Sequence, residues 1–168
     1  VGKVNVIDVF PMNFGEFLLA KREKECYNLL QNRDFAVLNP LHDKYIDLLR
    51  QYYYVGGMPE VVKKYVETEE LKEVRRIQKE ILLGYERDFS KHAPKDQVPR
   101  IRMVWKSIPS QLFKENKKFI YGALKKGARA NEFEIAIQWL TDSGLLYKVP
   151  RCTKPALPLE IYEDLTSF

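Results

Sequence analysis

Four consecutive residues, Gly56, Gly57, Met58 and Pro59, carry the spacing with the most chemical content in this chain. They interrupt the stretch QYYYVGGMPEVVKKY, residues 51–65, between two runs of helical character. A residue without Cβ lets backbone approach a flat ring closely. A proline of fixed φ offers that ring a rigid apolar surface at little ordering cost. The chemistry on offer is ligand contact, not bond making. A purely structural reading stands beside it: Gly56 ends one helix as its C′ residue, and Pro59 starts the next. A second group is basic. Lys125, Lys126 and Arg129, with Lys117 and Lys118 before them, suit phosphate oxygens without reading bases.

Groups able to make or break bonds are not arranged to do so. No G-x-x-x-x-G-K-S/T run exists to wrap phosphates, and no aspartate pair follows an apolar strand to hold Mg2+. His42 and His92 stand alone, and Cys26 and Cys152 form neither a metal spacing nor a CxxC pair. Serine, histidine and aspartate are scattered without triad spacing. Neither self-contained catalysis nor a metal site is expected.

The elements that must position these residues are mostly helical. Residues 4–10 read as a strand with apolar side chains on both faces, which belongs inside a sheet. Its neighbours are not evident, so the chain reads as a piece of a longer protein. Asn13 and Glu16 form a capping box for a helix burying Phe14, Phe17 and Leu18. A helix follows over 24–31. Asn39-Pro40 reads as cap and first residue of a helix over 41–55 that buries Tyr45, Leu48, Leu49 and Tyr52. Of the three tyrosines 52–54, Tyr52 continues the apolar stripe. Val61, Val62 and Tyr65 face inward after Pro59. Thr68 caps a long helix with the stripe Leu71, Val74, Ile81, Leu82, Tyr85 and Phe89, and a charged outer face. A helix over 101–107 is expected to break at Ile108-Pro109-Ser110.

The last third changes character. KKFIYG reads as a short aromatic strand with a basic turn after it. Residues 128–144 hold a helix burying Phe133, Ala136, Ile137 and Leu140, stopped by Asp142-Ser143-Gly144. LLYKVPRC reads as a strand, with a partner over 157–162. That order is the order of a winged helix-turn-helix.

Composition sets the frame. An apolar share of 45% with 30% charged residues is ordinary for a globular chain. No apolar run reaches the ~18 residues of a membrane span, and no signal peptide is visible. The unpaired cysteines make a reducing cytoplasm the expected compartment. The net charge of +5 mixes 28 bases with 23 acids, which permits nucleic-acid contact without arguing for it.

These motifs, in this order, resemble a family along nearly the whole chain. The chain is similar to the bacterial and archaeal predicted P-loop ATPases of AAA and STAND affinity. There an ATPase core precedes a helical lid, a winged-helix-like domain and a C-terminal domain of unknown function. Pro11, Asn13, Phe14, Glu16 and Phe17 resemble the family's Pro-x-Ser/Thr-Phe-x-Glu-Phe helix, with Asn13 in place of Ser or Thr. Gly56–Pro59 resembles its Gly-Gly-x-Pro lid motif. Tyr85, Asp88 and Lys91 resemble a Tyr-x-x-Asp-x-x-Lys helix end. The resemblance implies a mainly α fold: a helical lid bundle, then a winged-helix-like α+β domain, with one strand left from the edge of an α/β ATPase core. The divisions expected are 1–22 for that edge, 23–95 for the lid and 96–168 for the winged-helix-like part. It further implies ATP and Mg2+ in the full-length protein, with Gly57, Met58 and Pro59 against the nucleotide. The phosphate-binding loop, the acidic strand and the sensor residue fall outside this sequence. Arg87, Arg100 and Arg102 are candidate arginine fingers, with solvated or ion-paired arginines as the alternative.

The winged-helix order raises DNA as a partner. The outward residues expected on the second helix are Asn131, Glu132, Glu134, Gln138 and Asp142. Acids there disfavour groove reading, so DNA contact falls to Lys125, Lys126 and Arg129. The partners expected are the chain's own ATPase core, with DNA, another protein or a second copy as alternatives, and no membrane. A DNA-associated module and a protein-interaction scaffold are the competing functions.

Overall fold

The computed structural model describes residues 7, 9–33, 35–115, 118–164 and 168. The fold is mainly α, with one small antiparallel sheet among the described residues. Contacts gather into two compact units, 1–83 and 84–168. The division falls inside a helix, and each unit has its own core.

The first unit is built from helices α1 (Phe14–Ala20), α2 (Lys24–Asn32), α3 (Phe35–Leu38), α4 (His42–Val55), α5 (Pro59–Thr68) and the first part of α6 (Leu71–His92). The capping box forms as expected: the Glu16 amide donates to the Asn13 side chain at 3.0 Å, and the Asn13 amide donates to the Glu16 carboxylate at 2.7 Å. Phe17 and Leu18 of α1 are fully buried, each worth about 1.5–3 kcal/mol of burial. Phe17 shares one core with Val55, Val61, Val62, Tyr65, Val74 and Ile77, so α1 packs with α4, α5 and α6 in one unit. Leu18 joins Cys26 and Leu48 in a smaller cluster.

Several expectations meet a different outcome here. Asn39 caps nothing. Asn39–Leu41 form a 3₁₀ turn that contains Pro40, and α4 begins at His42 without a side-chain cap. Leu71 and Leu82 are exposed, while Ile77 is buried in their place. The buried positions of α6 are Val74, Ile77 and Phe89, and Leu82 lies off the line they make. The strand expected over 4–10 falls at residues 4–6 and 8 outside the described residues. Ile7, Val9 and Phe10 are described, exposed and in no strand.

The second unit holds the end of α6, α7 (Val98–Leu112), α8 (Ala130–Asp142) and the pair β1 (Arg151–Cys152) and β2 (Glu163–Asp164). Phe89 lies at its centre, edge-on to Trp105 at 5.5 Å and to Trp139 at 5.7 Å between ring centroids. Phe133, Ala136, Ile137 and Leu140 of α8 are buried as their spacing predicts. Pro109 does not break α7, which runs on to Leu112. The hydroxyls of Ser107 and Ser110 donate to the carbonyls of Val104 and Ser107, both at 2.8 Å, within the turns beside it.

The sheet is smaller than expected and shifted along the chain. β1 and β2 pair Arg151 with Asp164 and Cys152 with Glu163. Residues 145–150 are in no strand, and Leu159–Tyr162 form a 3₁₀ turn instead of the second strand. Residues 118–120 are in no strand either, although the Phe119 amide donates to the Phe168 carbonyl at 2.7 Å. Two prolines, Pro150 and Pro158, remove ladder donors from the stretches that had to pair.

Candidate functional site

The hinge between α4 and α5 is shaped by its own residues. Gly56 ends α4 with φ 74° and ψ −174°, a conformation open essentially to glycine, and its amide donates to the Tyr52 carbonyl at 2.7 Å. Met58 is extended as the N-cap of α5 and has no side-chain cap bond, and Pro59 follows inside the first turn. From α6, the Gln78 amide group donates to the carbonyls of Tyr54 at 2.8 Å and Val55 at 3.0 Å. Those are carbonyls that the end of α4 leaves without helical partners. The turn is therefore held from three sides in sequence: α4, α5 and α6.

Gly57 meets backbone, and it is this chain's own. A Cβ there would lie 2.2 Å from the Met12 carbonyl oxygen. The Met12 amide donates to the Gly57 carbonyl at 2.7 Å, and the Tyr52 hydroxyl donates to the Met12 carbonyl at 2.8 Å. Tyr52 also sets its ring against Phe14 and Phe17, at 5.7 and 5.4 Å. The segment ahead of α1 thus lies across the hinge. The sequence shows why Gly57 must be small, but not what approaches it. Nothing in the spacing points to Met12, which is distant along the chain.

What remains open at the hinge is apolar. Met58 is half-buried, Pro59 is exposed, and Tyr53 and Tyr54 are exposed beside them. Tyr65, on α5, is buried, and its hydroxyl donates to Gln51 at 3.1 Å. Burial pushes that hydroxyl's pKa up, with Glu69 adding to the shift. The Lys21 ammonium lies 4.9 Å from the Tyr65 ring centre and donates to the same Gln51 oxygen at 2.7 Å.

Among the described residues, no group of three or more His, Cys, Asp or Glu side chains could hold a metal ion. His42 and His92 are exposed, Cys26 is buried and Cys152 exposed, and both thiols are free.

In the second unit, Lys125, Lys126 and Arg129 are exposed together in the turn before α8. Gly127, with φ 76°, reverses the chain between them. Lys118 is exposed, and Lys117 lies outside the described residues. The Arg129 amide donates to the Glu132 carboxylate at 3.2 Å, so that acid, half-buried, is held at the helix start. Asn131, Glu134, Gln138 and Asp142 are exposed as expected. Ile135, which the sequence reading passed over, is 60% exposed between them. Of the candidate fingers, Arg102 donates to the Ser90 hydroxyl at 2.6 Å, and all three arginines belong to this second unit.

No helix among the described residues is long and apolar enough to cross a membrane. A family model, the domain of unknown function DUF8612, matches residues 46–167. No curated protein and no solved structure matches the chain.

Proposed function

We propose a function for this chain, which belongs to the DUF8612 family: it is the lid and winged-helix-like portion of an AAA/STAND-like ATPase, contributing to ATP binding in the full-length protein and not catalytic alone. The observation that carries the reading is the hinge Gly56–Pro59, held by Gln78 while Pro59 is exposed and Met58 half-exposed beside it. A held apolar turn suits the flat face of an adenine, because little ordering cost remains when the ring arrives. The position of Met12 narrows the contact set. Gly57 faces this chain's own backbone, so Met58 and Pro59 carry the base contact and Gly57 holds the turn that presents them.

Among the described residues no His, Cys, Asp or Glu group is arranged to hold a metal ion. Mg2+ and the phosphates fall to the ATPase core, and no step of hydrolysis is assigned to this chain. Its part is binding and gating, as lids do by closing on ligand. The compartment on this reading is the cytoplasm, in keeping with two unbridged thiols.

The test uses the protein joined to its core. Pro59→Ala weakens ATP affinity by calorimetry while the melting temperature holds, and Met58→Ala weakens it with some loss of melting temperature, because that side chain also packs on the core. Equal affinity in both variants removes the nucleotide assignment. A second reading, a DNA-associated module, is favoured by the exposed cluster Lys125, Lys126 and Arg129. DNA binding that falls steeply with salt and is lost in Lys125→Glu/Lys126→Glu establishes it. Absence of both ligands leaves the protein-interaction scaffold, with a second protein or a second copy of the chain as the partner.

A further inference from the structure

The second unit contains a groove that neither the hinge nor the basic turn uses. It has a volume of about 710 Å³, inside the roughly 300–1,000 Å³ typical of small-ligand sites. Ile108 and Leu112 of α7, Ile137 of α8, Leu145 and Leu146 beyond it, and Phe119 make its apolar walls. Two polar side chains in the wall are already satisfied. The Gln111 oxygen accepts from the Ile120 amide at 2.6 Å, and the Thr141 hydroxyl donates to the Ile137 carbonyl at 2.9 Å. The interior therefore asks for an apolar body and not for a hydrogen-bonding one.

The charged residues lining it are of one sign. Lys118, Lys148 and Arg151 line the groove; among the described residues no acidic side chain lines it, the strand partner of Arg151 being Asp164. Among the described residues neither Lys148 nor Arg151 is in a salt bridge. Several cations beside low-dielectric walls hold a positive potential that attracts an anion. The groove also shows what shape it accepts. The Phe168 ring stacks on Phe119 at 5.5 Å between centroids and 14° between planes, and the Lys148 ammonium lies 4.3 Å from its centre. A flat ring beneath a cation is thus an arrangement this site already makes with its own side chain.

We propose that this groove binds a small aromatic anion, with its flat body between α7 and α8 and its negative group at Lys148 and Arg151. An aryl carboxylate or sulfonate has that chemistry. The proposal is independent of the nucleotide reading, which concerns the first unit.

Fluorescence titration of the chain with anilinonaphthalene sulfonate tests it, with uncharged phenylnaphthylamine as the comparison and phenylacetate as competitor. The expected result is saturable binding of the sulfonate, weaker binding of the neutral dye, and displacement by phenylacetate. Arg151→Glu and Lys148→Glu each weaken the sulfonate by about tenfold, and Ile108→Trp, which fills the groove, removes it. Lys95→Glu, exposed in the turn before α7, leaves it unchanged. Melting curves are recorded for every variant, and the two charge reversals at exposed positions serve if Ile108→Trp fails to fold. Equal binding of both dyes, or unchanged binding in both charge reversals, overturns the proposal. Displacement by an acidic phenylalanine-containing peptide but not by phenylacetate overturns it in favour of a peptide site.

Discussion

The first unit closes its larger core around Phe17, stacked on Tyr65 and tilted against Tyr52 among aliphatic side chains, whereas the second closes around Phe89 set edge-on between two tryptophans. The polar bonds differ as well. At the hinge of the first unit they join residues far apart in sequence, as Tyr52 does with Met12 and Gln78 with Tyr54 and Val55. In the second the buried Gln111 ties its own helix, through Ser107, to the segment just after it, at Ile120. The contrast teaches where each unit is vulnerable. A core with one central ring fails when the ring goes. A hinge held by distant backbone fails when the distant partner is pushed away.

The largest effect is expected from Phe89→Ala, which leaves a cavity beside Trp105 and Trp139 and costs about 3–5 kcal/mol. Urea unfolding with tryptophan fluorescence reads it, and a loss well under that range means the ring is not central. Gly57→Ala comes next. Its Cβ cannot coexist with the Met12 oxygen, but the chain can release Met12 at the expense of two hydrogen bonds, which bounds the loss at about 2–3 kcal/mol. A double-mutant cycle sharpens this: Tyr52→Phe, costly in the native chain, costs little more once Gly57→Ala has freed Met12. Additive losses mean that Met12 stays in place and the turn itself has moved.

Gln111→Ala leaves the Ile120 amide without its acceptor and is expected to cost about 1–3 kcal/mol, confined to the second unit. Amide exchange at Ile120 measures it, with faster exchange expected there and no change at Gly57. The smallest effect is electrostatic. The Lys44 ammonium, 2.7 Å from Glu23, holds that carboxyl below its ordinary pKa through their hydrogen bond. Glu23 raises the lysine's in return. A depressed carboxyl stabilises fully above its ordinary value, and that share is lost as pH falls through the folded value. A raised lysine stabilises fully below its ordinary value, and that share is lost as pH rises through its own folded value. The pair is therefore intact across neutral pH. Lys44 is half exposed, so solvent screening keeps the gain below ~1 kcal/mol. Lys44→Met should flatten the acid limb of a stability–pH curve, and an unchanged limb removes the pair from the account.

Local signals were readable where the physics is local. The capping box at Asn13 and Glu16 depends on three residues of separation, and it forms. Gly56 and Gly144 take positive φ at helix ends, where the chain needs it. The inward face of α8 follows from its period alone. Legibility ended where several readings share one local pattern. Asn39-Pro40 has the form of a helix start but lies in a 3₁₀ turn, because the chain before it is already helical. Pro109 has the form of a breaker, yet α7 continues through it with Gln111 buried beyond. The pattern places strands over 145–152 and 157–162, while the pairing is confined to the end of the first, Arg151–Cys152, and to Glu163–Asp164 just past the second. Two-residue strands carry no periodicity to detect.

The hinge shows the same boundary at one site. From sequence alone it follows that Gly56 needs a conformation other residues resist, that Pro59 opens a helix, and that Gly57 is free of a side chain for some close approach. These are properties of φ and of a missing Cβ, present before any folding. Only the tertiary structure decided that the approaching group is the Met12 backbone and that Gln78 holds the carbonyls of α4. Hydrogen bonds between distant segments depend on where packing delivers them, and local sequence holds no record of that. The groove beside Phe119 has the same origin: Lys118, Lys148 and Arg151 come to one rim only after α7, α8 and the chain beyond them have packed.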